Sequence, residues 1–235
     1  MSAAISPGST ASSSVIGEGI GGAVVTEIVS IAQDGDRAAR WALEECVWDG
    51  GVALFPADTL YGLACDPLSV AAIDRIHEIK GRADTKPAAV MYFAPIAMRE
   101  LIAELGPRSR EALGALLPGP VTLVLANPRR RYPLACREDP ERLGVRLIEG
   151  PLTGMPLPVF QTSANRSGYA APASFDEIGP EIFERVDVAI DGGELGGRPS
   201  TVIDLSELDD GGDWKLLREG AVPAAEVEAA LRRSG

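Results

Sequence analysis

The 235-residue chain is short of the residues that most enzymes use to move protons or bind metals. It has a single histidine, His77, among Asp74, Arg75 and Glu78, where it reads as solvent-facing. Without a second histidine there is no His-based metal triad and no Ser–His nucleophile pair. Its three cysteines, Cys46, Cys65 and Cys136, are far apart and form no CxxC pair. That spacing supports neither a zinc site nor a disulfide framework, and it implies inert thiols in a reducing compartment, the cytoplasm. Aromatic residues make up only 5% of the chain, and lysine occurs three times, as Lys80, Lys86 and Lys215. There is no apolar run of membrane-spanning length, and the N-terminus lacks the basic start and apolar centre of a signal peptide. No glycine-rich Walker loop is present, which excludes an ordinary P-loop NTPase. A net charge of −12 excludes nucleic-acid binding through a broad positive footprint.

What is present fits one α/β domain with a sizeable core: 46% apolar residues with abundant alanine and glycine. Residues 1–22, biased to Ser, Gly and Ala, read as a disordered tail, leaving 23–235 as the domain. Strands are expected at 23–32, 52–55, 88–93, 121–126, 143–148, 158–162, 186–191, 201–205 and 214–218. Helices are expected at 36–48, after a Ser69 cap through Ile79, at 96–105, 108–116 and 174–184, and from Pro223 to Arg233. PADTLYG (56–62) reads as a loop, and 128–140 as an irregular, arginine-bearing excursion. Helices alternate with strands in the first half and strands crowd the second, which describes one mixed sheet with flanking helices.

The polar signals lie in loops that follow strands, where ligands collect in open α/β sheets. Lys80, Arg82 and Lys86 put three cations within seven residues of an acidic chain, a pattern suited to a polyanion. Arg146 interrupts an apolar strand, and a buried guanidinium requires an anionic partner. Asp58-Thr59, Thr122, Ser163-Ala164-Asn165, Ser200-Thr201 and Arg218-Glu219 add hydroxyls, amides and charge. Together they describe a cavity rich in donors and poor in bases, suited to phosphoryl or nucleotidyl transfer by positioning and charge neutralisation.

In order along the chain, PADTLYGL, KGRADTKP, PGPVTLVL, LGVRL, TSANRSG, GRPSTVIDL and LREGAV resemble the motifs of the YrdC-like family, the threonylcarbamoyl-adenylate synthases. The likeness runs from about Ile28 to Val222. It implies a twisted, open, single-domain sheet around a positively charged cleft. It also implies the conversion of L-threonine, bicarbonate and ATP, with Mg2+, to L-threonylcarbamoyl-AMP and pyrophosphate, which feeds the N6-threonylcarbamoyl modification of adenosine 37 in tRNA. By resemblance, Thr59, Arg146, Ser200 and Thr201 hold threonine. Arg82, Lys86, Ser163, Asn165 and Arg218 hold ATP, with Lys80 and Arg82 as the catalytic cations. No residue is assigned to a metal. Separate tRNA threonylcarbamoyl-transferase proteins are the implied partners, RNA contact at the cleft is possible, and no membrane is involved. Two alternatives carry the same fold: carbamoyl-adenylate chemistry, and a non-catalytic double-stranded RNA-binding or ribosome-maturation module. Three stretches depart from the family pattern. Ala57 stands where a threonine is usual, the segment between Arg146 and Ser163 is short, and Ala171–Ser174 replaces a Ser-Pro-Thr element. The short segment is expected to open the cleft edge or alter what it admits.

Overall fold

A computed structural model of the chain describes residues 26–81 and 87–234. The expected tail, the start of the first expected strand, and Arg82 and Lys86 lie outside the described residues. In chain order the elements are β1 (Glu27–Ser30), α1 (Ile31–Asp34), α2 (Asp36–Trp48), β2 (Ala53–Pro56), β3 (Tyr61–Cys65), α3 (Val70–Ile79) and β4 (Ala89–Tyr92). There follow α4 (Arg99–Glu104), α5 (Pro107–Leu116), β5 (Val121–Ala126), α6 (Pro133–Cys136), β6 (Arg142–Leu147) and β7 (Val159–Ser163). The chain ends with α7 (Pro180–Phe183), β8 (Val188–Asp191), β9 (Thr201–Asp204), β10 (Lys215–Arg218) and α8 (Ala224–Ser234).

The described strands join in one mixed sheet, ordered β1-β8-β2-β3-β7-β4-β6-β5-β9-β10. This is the single mixed α/β sheet with flanking helices that the element pattern implies. Because side chains alternate across a sheet, each strand feeds two layers. On one face Val90 and Tyr92 of β4, Val145 and Leu147 of β6, and Leu123 and Leu125 of β5 join Ile73, Ile76 and Ile79 of α3 in the larger core. On the other face Met91 of β4 and Val159 of β7 meet α2 through Leu43 and Val47, with Phe55, Phe93, Leu152 and Met155. That second cover stops partway along the sheet. Beyond it the same face, carrying Ala89, Gln161, Gly144, Arg146, Thr122 and Val202, lines an open cavity.

Four expectations are corrected. The first strand ends at Ser30, because Asp34 accepts the Ser30 N–H and Gly35, at φ 84°, redirects the chain into α2. The loop 56–62 is shorter, since Tyr61–Cys65 is a central strand. Gly62 serves there not as a turn residue but for close approach: a Cβ would lie 2.9 Å from Gln161 Nε2 and 3.1 Å from Phe55. The helix 174–184 breaks at Gly179-Pro180 into a 3-10 turn, capped reciprocally by Ser174 and Glu177, and the short α7. His77 is buried rather than solvent-facing. It lies one turn after Ile73 on the inward side of α3, edge-on to Phe160 at 6.3 Å, and contacts Arg137. Ser69 caps α3 as expected, accepting the Ala72 N–H at 3.2 Å, and the three thiols are buried and free.

Candidate active site

The uncovered half of the sheet forms the floor of a cavity of about 1020 Å³. Its walls come from the loop after β2, the C-terminal end of α3, the loop after β7 and the β9–β10 edge. Thr59, Lys80, Arg146, Ser163, Asn165, Ser200 and Arg218 all line it. These seven residues, scattered over 160 positions, are therefore brought together.

Arg146 rises from β6 into this space, with 5% of its side chain exposed. Its Nη2 pairs with Asp58 and also donates to the Ala57 carbonyl at 3.3 Å. Its Nε is buried without a hydrogen-bond partner among the described residues. Asp58 adopts φ 63°, a left-handed conformation that a short polar side chain tolerates. Burial pushes its carboxyl above the usual aspartate range, and the opposing pull of Arg146 and the Thr59 hydrogen bonds does not overcome it. Arg218 approaches from β10 and donates to the Ser200 carbonyl at 2.9 Å and to its hydroxyl at 3.3 Å. Burial and, second, the like charge of Arg146 hold Arg218 below the ordinary arginine range. Two arginines lining one cavity favour an anion placed between them.

Lys80 is nearly fully buried at the end of α3. Its Nζ donates to the carbonyls of Ser163 at 2.5 Å and Asn165 at 3.1 Å, while its own carbonyl receives the Ser167 N–H. Lys80 thus ties the helix to the Ser-x-Asn loop. Within that loop the Ser163 hydroxyl donates to Asn165 Oδ1, and the Asn165 amide donates to the Tyr169 and Arg166 carbonyls. Ser200 shares a hydrogen bond of 2.9 Å with Thr122, so the two hydroxyls face the cavity as a pair.

Thr201 stands apart from its expected role. It is fully buried and does not line the cavity. Its hydroxyl donates to the Val222 carbonyl and accepts the N–H groups of Gly220 and Val222. Thr201 therefore holds in place the loop that follows Arg218. Gly220 is required there, since a Cβ would fall 2.2 Å from the Pro199 carbonyl. Of the short segment after Arg146, only its last residues, Gln161 and Thr162 on β7, border the cavity; residues 147–160 do not. Its Ile148, Leu152 and Met155 fill the core under α2, and Arg40 of α2 donates to the Pro151 and Thr153 carbonyls.

Two charged lining residues escaped the motif reading, Arg142 and Asp139. They pair at 2.5 Å, and Arg142 also reaches Asp204. Period-two alternation back from Arg146 through Gly144 would have placed Arg142 on the same face.

A family model named Sua5/YciO/YrdC, described as telomere recombination, matches residues 45–220. A curated threonylcarbamoyl-AMP synthase of Pyrococcus abyssi is 34% identical over 211 residues, covering 83% of this chain. One from Methylobacillus flagellatus is 34% identical over 174 residues, covering 70% of it. The chain spans 59% of the length of the archaeal relative and 93% of the bacterial one. The crystal structure of P. abyssi Sua5 complexed with L-threonine superposes with a TM-score of 0.72 at 29% identity, covering 88% of this chain and 60% of that one.

Proposed function

The chain belongs to the Sua5/YciO/YrdC family, and from that premise we propose that it makes L-threonylcarbamoyl-AMP and pyrophosphate from L-threonine, bicarbonate and ATP. The observation that carries this reading is Arg146: a guanidinium whose Nε is buried without a hydrogen-bond partner among the described residues, in a cavity shared with Arg218 and Lys80. Native proteins leave few buried donors unpaired, and a ligand carboxylate oxygen supplies what Arg146 Nε lacks.

In this reading the threonine α-carboxylate lies against Arg146, and Thr59 and the Ser200–Thr122 hydroxyl pair supply polar contacts. Bicarbonate condenses with the free amine and water departs, leaving N-carboxythreonine. A carbamate oxygen then attacks the α-phosphorus of ATP, forming a new P–O bond as the bond to pyrophosphate breaks. Arg218, Arg82 and Lys86 offset the charge on the phosphates, and Lys80 keeps the Ser163–Asn165 loop at the nucleotide. No protein base is required once the amine is neutral, which suits a cavity without histidine. Fixed cations aimed at developing charge are the main catalytic device of such sites.

Magnesium fits as a companion of the nucleotide rather than as a resident ion. Among the described residues no group of three or more His, Cys, Asp or Glu could cage a metal, and Asp139 and Asp58 are already paired with arginines. Magnesium commonly rides on substrate phosphates with few protein ligands. Transfer of the product to adenosine 37 of tRNA by separate proteins, RNA contact at the cleft mouth and a cytoplasmic setting complete the proposal. Among the described residues no helix is long and apolar enough to cross a membrane.

The test is pyrophosphate release from ATP and Mg2+. Release that requires both L-threonine and bicarbonate supports the synthase, and release indifferent to the amino acid rejects it. Carbamoyl phosphate replacing threonine and bicarbonate would reveal carbamoyl-adenylate chemistry instead.

A further inference from the structure

The outward side of α2 breaks the rule that a helix packed on a sheet turns polar residues to solvent. Its inward side, through Ala39, Ala42, Leu43, Cys46 and Val47, is buried against the sheet. On the opposite side Trp41 and Trp48 are 67% and 78% exposed. A chain with only three tryptophans places two of them on one solvent-facing stripe, two turns apart. Glu44 and Glu45 fall between them on that stripe and Asp49 follows at the helix end. The five residues line one recess of about 240 Å³, and none of them borders the substrate cavity. Trp41 Nε1 donates to Glu45 Oε2 at 3.1 Å, which fixes one indole over a carboxylate.

We propose that this recess is a docking site for a basic segment of a separate protein, with an arginine or lysine side chain entering between the two indoles above the carboxylates. Three features select that occupant. Indole faces attract cations, and tryptophan does so best among the aromatic side chains. Glu44, Glu45 and Asp49 supply opposite charge at the C-terminal end of a thirteen-residue helix, where the macrodipole is also negative. Arg37, one turn before Trp41, bounds the acidic stretch on its N-terminal side. The volume suits one long side chain rather than a nucleotide or a drug-sized ligand. Nucleic acid and anionic lipid surfaces are disfavoured by the same carboxylates. Exposed tryptophans are also the residues on which binding energy concentrates in protein interfaces.

The test uses the full chain and an acetylated hexa-arginine peptide, read by tryptophan fluorescence, with hexa-glutamate as the negative probe. Saturable binding of hexa-arginine is expected. The Trp41→Ala/Trp48→Ala variant, read by calorimetry, should lose about tenfold or more in affinity while keeping its melting temperature. Glu44→Gln/Glu45→Gln should weaken binding more than the equal charge removal Asp210→Asn/Asp213→Asn on the distant 209–213 loop. Equal affinity in the tryptophan variant, or equal losses in the two charge variants, would overturn the proposal in favour of a non-specific acidic surface. Absence of any binding would overturn it too. A wild-type dimer that the tryptophan variant dissolves would assign the recess to a second copy and refute the basic-segment reading.

Discussion

Arg146→Met is the substitution whose consequences the structure defines most sharply. The guanidinium it removes is the ion-pair partner of Asp58, whose own side chain is 17% exposed. Stripping one member from a buried pair leaves the other charged and unsolvated, at a cost of about 3 kcal/mol or more. In a chain of this length each kcal/mol moves the melting temperature by about 2–4 °C, so a drop of about 6–12 °C is expected. Burial already raises the Asp58 carboxyl, and Arg146 is the largest influence opposing that rise. An acid whose folded value lies above its unfolded value subtracts stability at neutral pH, and that loss disappears as the pH falls below the unfolded value. The deficit of Arg146→Met should therefore be greatest near pH 7 and shrink as the pH approaches the ordinary aspartate value of 3.8. Adding Asp58→Asn should restore much of the lost stability, because no carboxylate then remains to be stranded. Thermal melts of the two single variants and the double variant, each from pH 7 downwards, provide the assay. A single variant melting within about 2 °C of the parent at pH 7, or a double variant whose loss equals the sum of the singles, would refute the reasoning.

Lys86→Ala is expected to weaken ATP binding about tenfold while leaving threonine binding within about twofold, and calorimetric titration with each ligand decides it. Equal losses for both ligands would refute the assignment of Lys86 to the phosphates. Thr201→Val should cost about 3 kcal/mol in denaturant unfolding, since the Gly220 and Val222 N–H groups lose their buried acceptor, and Thr201→Ser should recover most of it. Iodoacetamide at pH 8 should leave the native chain unmodified, because burial pushes the Cys46 thiol up to about 12 and Cys136 to about 11. All three cysteines should then alkylate in guanidinium, as mass spectrometry would show.

Much of the architecture was legible because strong patterns were local. The apolar run at Val121–Ala126 and the Ser69 cap with Ile73, Ile76 and Ile79 declared their elements directly. Tyr61–Cys65 did not, since a glycine that admits close neighbours is indistinguishable in sequence from one that permits a turn. His77 was misjudged because its charged neighbours masked its place on the buried stripe of α3. In the site, residues with unusual chemistry for their surroundings, such as Arg146 in an apolar strand, identified themselves. Thr201 beside Ser200 looked equivalent to it, and only the fold separates the hydroxyl that faces the cavity from the one that secures the next loop. Arg142 lay outside every motif and outside the expected strand 143–148, and only the pairing of β6 with β5 puts it on the cavity face.

Strand β6 runs parallel to β4 on one side and antiparallel to β5 on the other, and along it Val145 enters the large core while Arg146 enters the cavity. A slip of one residue would exchange them, driving a guanidinium into hydrocarbon and leaving a valine to face the substrate. Misregistered chains would thus be both unstable and inert. Correct folding and chemical competence are fixed by the same alignment, so a cell would accumulate no stable but inactive form with this strand displaced.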